Sequence, residues 1–305
     1  MEPSVLVVMG TYNGQKFLEN QLISIINQIG VSIKLVVRDD GSTDDTKEIL
    51  KTYAANGFLD FEVGTNLGFS ANYVSLLQTV MEEEWDYLAF SDQDDVWDER
   101  KLSVAVAQLR SNSLGMYASK RRILNGEEKS GMIYPIQRVV PTFLNSCFEN
   151  ICAGCTVVIS KDFAKMALPY FKLPEARMIP YDSILYIISV ENDELYFDQN
   201  SYIDYRLHSG NSIGIDLSAR FISSKRLNHF REDLIKKIEF LGASQSLFTS
   251  SIHQKQLNVV LQKKYSLTRV MRILNMPKLR QNKIQNFLLK IYVAFIGLGF
   301  TSKGK

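Results

Sequence analysis

Four strand-like runs in the first ninety residues alternate with segments of helical periodicity, and this alternation restricts the fold more than any other feature. Ser4-Val-Leu-Val-Val-Met9 is almost wholly apolar, as a strand buried on both faces of a parallel sheet must be. Ile33–Val37, Leu59–Val63 and Tyr87–Phe90 read as three further strands. Between them, residues 16–29 place Phe17, Leu18, Leu22, Ile25, Ile26 and Ile29 at helical spacing, and Asp44–Ala55 and 69–83 read as two more helices. Ser42 or Thr43 is placed to cap the second helix, with Asp44 and Asp45 in its positive first turn. This βαβαβαβ order predicts an α/β fold, a doubly wound, mostly parallel sheet flanked by helices. Ligands of such sheets lie at the carboxyl ends of the strands, so the loops beginning at Gly10, Arg38, Gly64 and Ser91 are the ones to inspect.

Farther along, Ile151–Ile159 and Tyr202–Leu207 read as strands and Tyr181–Val190 as a short helix after Pro180. From about residue 217 the pattern is helical with basic surface positions. The 305 residues fit one large domain, or a domain with an appendage, and the division is expected at 215–220. Cys147, Cys152 and Cys155 are too few, and odd in number, for a disulfide framework. The single C-x-x-C has no second pair and no neighbouring histidine, so it reads as small buried strand residues rather than a zinc site.

Each of the four loops carries a polar constellation. Ser91-Asp92-Gln93-Asp94-Asp95-Val96-Trp97 sets three carboxylates within four residues. They repel one another unless a cation sits among them, and Mg²⁺ or Mn²⁺, which prefer oxygen ligands and keep sites for substrate phosphates, suit such a loop. Helix capping would account for one aspartate there, not three. Arg38-Asp39-Asp40-Gly41-Ser42-Thr43-Asp44 offers carboxylates to a nucleobase imide or a ribose, with Gly41 allowing a tight turn. Gly10-Thr11-Tyr12-Asn13-Gly14 presents a tyrosine able to stack on a base. Asn66-Leu67-Gly68-Phe69-Ser70-Ala71-Asn72 runs into a helix start whose free N–H groups suit an anion. No G-x-x-x-x-G-K or G-x-G-x-x-G is present. A nucleotidyltransferase would need a basic, glycine-rich loop near the N-terminus, and Gly10–Gln15 contains no Lys or Arg.

Taken together, T-Y-N-G at 11–14, D-D-G-S-x-D-x-T at 39–46, N-x-G-x-x-x-N at 66–72 and S-D-Q-D-D-V-W at 91–97 resemble the family 2 glycosyltransferases of GT-A fold, over roughly residues 4–215. The last of these is similar to the rhamnosyltransferase-like branch that builds bacterial surface polysaccharides such as capsule and O antigen. Ala153-Gly154-Cys155-Thr156 resembles that branch's acceptor-side strand, Pro180-Tyr181-Asp182 its catalytic-base segment, and Tyr205-Arg206-Leu207-His208-Ser209-Gly210-Asn211 its Y-R-x-H-x-x-N element. Ser183 and Ile184 stand where many relatives carry aromatic residues.

The resemblance implies an inverting transfer of a sugar from a nucleoside-diphosphate donor, favoured as L-rhamnose from dTDP-L-rhamnose, to a glycan or lipid-linked glycan. A UDP-hexose donor and a catalytically silent nucleotide-sugar binding module are the alternatives. It implies residues 1–216 as the catalytic domain, with a nucleotide-sugar half to about 100 and an acceptor half to 216. Asp182 would be the general base. Thr11, Tyr12, Asn13, Asp39, Asp40, Asn66, Gly68, Asn72, Asp92 and Arg206 would bind the nucleotide sugar, with Asp40 reading the base. Asp94 would be the main ligand of Mg²⁺ or Mn²⁺, with Asp95 near it, Asp92 facing the ribose or the metal, and His208 either completing the metal shell or binding a phosphate oxygen. The plainer readings are a helix cap for Asp182 and a surface-loop histidine for His208.

After Glu239 the chain has eleven Lys and Arg and no acidic residue, although the whole sums to only +2. A basic extension, residues 217–305, on an acidic body suggests an anionic partner, and the apolar run Phe287–Phe300 beside these charges suggests a membrane surface. The alternative is a helix packed on the body with Lys and Arg as its solvated face. The first apolar run follows no basic residue, as a signal peptide would, and no stretch reaches the ~20 apolar residues that span a bilayer. The expected place is therefore cytoplasmic, peripheral on the inner face of the plasma membrane, with no nucleic-acid partner.

Overall fold

The computed structural model describes residues 2–125, 128–135, 141–208, 224–262, 266–280 and 282–296. The N-terminal half runs β1 (Ser4–Thr11), α1 (Leu18–Ile26), β2 (Ser32–Asp39), α2 (Thr46–Ala55), β3 (Asp60–Val63), α3 (Phe69–Val80) and β4 (Tyr87–Ser91). Then come β5 (Val96–Trp97), α4 (Lys101–Asn112), β6 (Met116–Asn125), β7 (Glu128–Tyr134), α5 (Phe143–Phe148), β8 (Val158–Ser160), α6 (Lys161–Phe171), α7 (Tyr181–Glu191) and β9 (Leu195–Leu207). Helices α8 (Ser224–Ala243), α9 (Ser251–Leu261), α10 (Leu267–Asn275) and α11 (Lys283–Ile296) complete the described chain.

The strands form one sheet in the order β3-β2-β1-β4-β8-β6-β9-β5, with β7 added to β6. The first four strands are parallel, as the alternating pattern predicts. The rest is mixed: β8 runs antiparallel to β4 and β6, β6 and β9 are parallel, and β5 is antiparallel to β9. Strand β1 shows why its sequence is continuously apolar. Val5, Val7 and Met9 join one buried cluster with α1 and α4, while Leu6 and Val8 join another with α3 and α5–α7. Residues Leu234, Phe240, Leu257, Ile273, Leu289 and Val293 of α8–α11 belong to that second cluster. The expected division at 215–220 lies outside the described residues.

Two local expectations change. Ile151–Ile159 is not a continuous strand: Gly154–Thr156 is a 3₁₀ turn, and the strand proper is Val158–Ser160. Thr156 donates both its backbone N–H and its hydroxyl to the Ala153 carbonyl, each at 2.8 Å, which curls the chain. Neither Ser42 nor Thr43 caps α2. The Ser42 hydroxyl is taken by Asp39 at 2.5 Å, and Asp44 instead accepts from the Thr46 N–H at 3.1 Å.

Candidate active site

The carboxyl ends of β1 and β2 bring the first two motifs into one hydrogen-bonded floor. Asp39 accepts from the Thr11 hydroxyl at 2.9 Å, and from the Ser42 N–H at 2.8 Å and its hydroxyl. Asn13, in the left-handed region at φ 48°, donates its N–H to Ser42 Oγ and accepts from the Thr43 N–H, both at 2.8 Å. Asp40 turns the other way. It pairs with the Arg38 guanidinium at 2.7 Å and accepts the Leu67 and Gly68 N–H groups, each at 2.8 Å. Arg38 also donates to Asn72 Oδ1 at 2.9 Å. Both carboxylates thus hold three loops in register. Gly68 sits at φ 81° at the start of α3, Asn72 is buried and Asn66 is exposed. Tyr12 keeps 47% of its surface open, while Gln93 clamps its backbone through both amide atoms, at 2.9 and 3.0 Å.

The acidic loop follows β4 directly. The antiparallel pairing of Val96 with Asp204 and Trp97 with Ile203 lays the end of β9 along it. Arg206 donates its N–H to Asp95 at 3.1 Å and its Nε–H to the Asp94 carbonyl at 3.0 Å. His208 Nε2 lies 2.7 Å from Asp94 Oδ2. The Phe17 ring packs under both, 4.5 Å from the Arg206 guanidinium and 5.1 Å from the imidazole. The Asp92 carboxylate, that of Asp95 and the Cys155 sulfur gather within 4.8 Å of one another. The structure therefore pairs Asp94 with His208 and groups Asp92 with Asp95, rather than converging Asp92, Asp94 and His208 on one point. Residues Ser209–Asn211 of the last motif lie outside the described residues.

Crowded charge is the site's main electrostatic property. Burial, then Asp94 and Asp182, push the Asp92 carboxyl up to about 7. Burial, then Asp94 and Asp92, push Asp95 well above the usual carboxylate range, and its Oδ2 is buried with no hydrogen-bond partner. Such a cluster favours a cation. Carboxylate oxygens with one imidazole are a donor set that Mg²⁺ or Mn²⁺ accepts. The Cys155 thiol is not part of that set: burial raises it well above its ordinary value, which favours the protonated form.

Asp182 stands in the first turn of α7 but does not cap it, since the N-cap position is Pro180. Its Oδ2 accepts the Gly154 N–H at 3.0 Å, and its Oδ1 is buried without a hydrogen-bond partner. Burial raises the Asp182 carboxyl, opposed by the Gly154 N–H and by the charges of Lys237 and Arg121. Gly154 has to be glycine, because a Cβ there would overlap the Tyr181 hydroxyl. The Tyr181 ring in turn stacks on Tyr73 at 4.3 Å, and Tyr73 donates to the Ser91 carbonyl at 2.5 Å and to Asp92 at 3.3 Å. The start of α7 and the acidic loop are thereby coupled through two aromatic rings.

Three participants escaped the sequence reading. Gln93 looks like a spacer between aspartates, yet it grips a residue 81 positions away. Tyr73 reads as a helix core residue. Arg121 lies with its guanidinium 4.6 Å from the Tyr205 ring and 5.3 Å from the Tyr134 ring, and its charge opposes the upward shifts of both Asp92 and Asp182. The run Lys120-Arg121-Arg122 inside a strand was the available signal, because sheet interiors seldom carry cations without an anionic counterpart.

Residues 6–161 match the profile of Glycosyl transferase family 2. The dTDP-rhamnosyl transferase RfbG of Shigella flexneri is 29% identical over 294 residues, 93% of this chain and 97% of that protein. The UDP-Glc:alpha-D-GlcNAc-diphosphoundecaprenol beta-1,3-glucosyltransferase WfgD of Escherichia coli is 23% identical over 158 residues, 51% of this chain and 59% of that one. Among solved structures, S. aureus TarS 1–349 in complex with UDP superposes with a TM-score of 0.60 at 17% identity, covering 96% of this chain and 88% of that one. The same fragment in complex with UDP-GlcNAc gives 0.57. With its parallel half-sheet, its strand-end motifs and a family profile across more than half its length, the chain belongs to glycosyl transferase family 2.

Proposed function

We propose that this glycosyltransferase carries out an inverting transfer of L-rhamnose from dTDP-L-rhamnose to a hydroxyl of a lipid-linked glycan during bacterial polysaccharide assembly. The observation that carries the mechanism is the buried Oδ1 of Asp182, which has no hydrogen-bond partner, on a carboxyl near enough to Asp92 to raise it, beside a carboxylate cluster whose charge favours a cation. Residues 1–216 form the catalytic unit in this reading.

The exposed Tyr12 ring stacks on the base at the mouth of the floor built by Thr11, Asn13 and Asp39, and Asp40 with Asn72 fixes the 66–68 loop beside it. Asp94 and His208, 2.7 Å apart, would hold Mg²⁺ or Mn²⁺, with Asp92 toward the ribose. When bound, the ion neutralises charge growing on the departing diphosphate. Arg206 fixes the metal loop by its bonds to Asp94 and Asp95. Asp182 takes the proton of the acceptor hydroxyl as that oxygen attacks the anomeric carbon from the face opposite the nucleotide, and the bond to the diphosphate oxygen breaks. Burial suits Asp182 to this work, since a raised carboxyl is a stronger base than a solvated one.

Similarity to RfbG over nearly the whole chain supports the rhamnosyl donor. A UDP-hexose donor is the second reading, favoured by the UDP-sugar complex of the TarS fragment. Calorimetry with dTDP-rhamnose, UDP-glucose and UDP-GlcNAc, each with Mg²⁺ or Mn²⁺, separates the two. Asp94→Asn should abolish turnover with the fold intact; near-normal turnover with the ion present would remove the metal assignment. The acceptor reading places the enzyme at the inner face of the plasma membrane. No described helix is long and apolar enough to cross a membrane.

A further inference from the structure

The cations of the C-terminal segment divide into two kinds. Arg269 is buried and serves the fold: it donates to the Val259 and Val260 carbonyls at the end of α9 and to the Val293 and Ala294 carbonyls near the end of α11, at 2.7–3.2 Å. Lys290 does the same for α10 through the Leu274 and Met276 carbonyls. Lys255, Arg272, Lys278 and Lys283 are exposed instead. Lys255 and Arg272 flank a groove of about 510 Å³ between α9 and α10, floored by Asn258, Val259 and Gln262.

Large apolar side chains project from the same helices. Leu267, Met271 and Leu274 follow one face of α10 at i, i+4 and i+7, and are 73%, 64% and 41% exposed. On the adjacent α11, Ile284, Phe287 and Leu288 are 72%, 58% and 51% exposed, while Leu289 and Val293 point into the core. Scattered exposed apolar residues are ordinary, but six on two packed helices are more than scatter supplies. Its surroundings name the partner's charge: no acidic residue occurs after Glu239, so nothing on this layer would repel an anion.

We infer that the α10–α11 layer docks flat on an anionic bilayer, its apolar residues entering the acyl boundary and the Lys255–Arg272 groove receiving a lipid phosphate. This rests on the lipid-linked acceptor reading and adds the mode of attachment: apolar insertion at named side chains beside a headgroup site. A purely electrostatic tail would release completely as salt rises, whereas inserted side chains retain a salt-resistant component.

Sedimentation of the full chain with phosphatidylcholine vesicles, with and without phosphatidylglycerol, tests it. The wild type should bind the anionic vesicles. Phe287→Asp and Met271→Asp should each weaken binding about tenfold or more at every salt concentration, since one side chain's burial carries an effect of that order. Lys255→Gln with Arg272→Gln should weaken it about tenfold in low salt and little in high salt. These positions are exposed, so the variants should melt as the wild type does; if Phe287→Asp does not fold, Leu267→Asp reads the same face. Vesicle binding unchanged in the Asp variants overturns the surface. So does a wild-type dimer that Phe287→Asp converts to monomer, which would make the patch a contact between two copies. A chain that ignores vesicles yet turns over nucleotide sugar defeats the docking alone. One that binds vesicles but turns over no nucleotide sugar defeats the reaction reading alone.

Discussion

Replacing Asp182 separates chemistry from architecture more sharply than any other change. Asp182→Asn keeps an oxygen for the Gly154 N–H but loses the base. Turnover should fall by on the order of 10²–10⁴. Donor affinity, measured calorimetrically with an inert analogue and metal present, should stay within a few-fold, because the role proposed for Asp182 is toward the acceptor hydroxyl. Stability should rise slightly rather than fall. The wild-type carboxyl is held above its ordinary value by burial, so the folded state binds its proton more tightly than the unfolded state does. Stability from that proton is present in acid and is lost as pH climbs from the unfolded value of 3.8 through the raised folded value. The neutral amide escapes this loss, so its advantage in melting temperature should be near zero in acid and grow toward neutral pH. Asp182→Ala should instead destabilise by ~1–3 kcal/mol, the cost of leaving the buried Gly154 N–H without an acceptor. A helix-cap role would give a different pattern: Asn silent in every assay and Ala down by ~1 kcal/mol. Near-normal turnover in Asp182→Asn would refute the base assignment.

Gly154→Ala should cut turnover at least about tenfold with donor affinity little changed, because the displaced Tyr181 ring no longer stacks on Tyr73 and the Gly154 N–H moves off Asp182; unchanged kcat would show the turn to be slack. Mn²⁺ affinity should rise as pH climbs through about 7, with protons released on binding, because the Asp92 carboxyl, in charge contact with Asp94, holds its proton to about 7 without the ion; calorimetry in buffers of different ionisation enthalpy counts those protons, and pH-independent binding would show that the ion does not feel the charge of Asp92. Arg269→Met should lower stability by ~2–4 kcal/mol in denaturant titration, since carbonyls at the ends of two helices lose their donor at once; a loss under ~1 kcal/mol would mean that other groups satisfy them.

The parallel half of the fold was legible in the sequence because its signal is local. A strand buried on both faces must be apolar at every position, as Ser4–Met9 is, and the helices between strands must repeat at 3.6 residues. The same locality made the strand-end loops readable, and the adjacency of Asp92, Asp94 and Asp95 marked a cluster of crowded carboxylates. What those residues do to one another was not local. That Asp39 braces Thr11 while Asp40 grips Arg38 and the 66–68 loop depends on the crossing of β1, β2 and α3. The meeting of Asp94 with His208 depends on a two-residue strand pairing across more than a hundred residues. The turn at Gly154 depends on the Tyr181 hydroxyl occupying the space of a side chain. Among the basic residues after Glu239, the sequence determined sign and number, and the tertiary structure decided use. Arg269 and Lys290 lie within reach of helix-end carbonyls and became part of the core, while Arg272 and Lys283 face outward beside apolar side chains. Composition fixes how many charges a chain must place; only packing decides which of them meet an internal partner and which are left for another molecule.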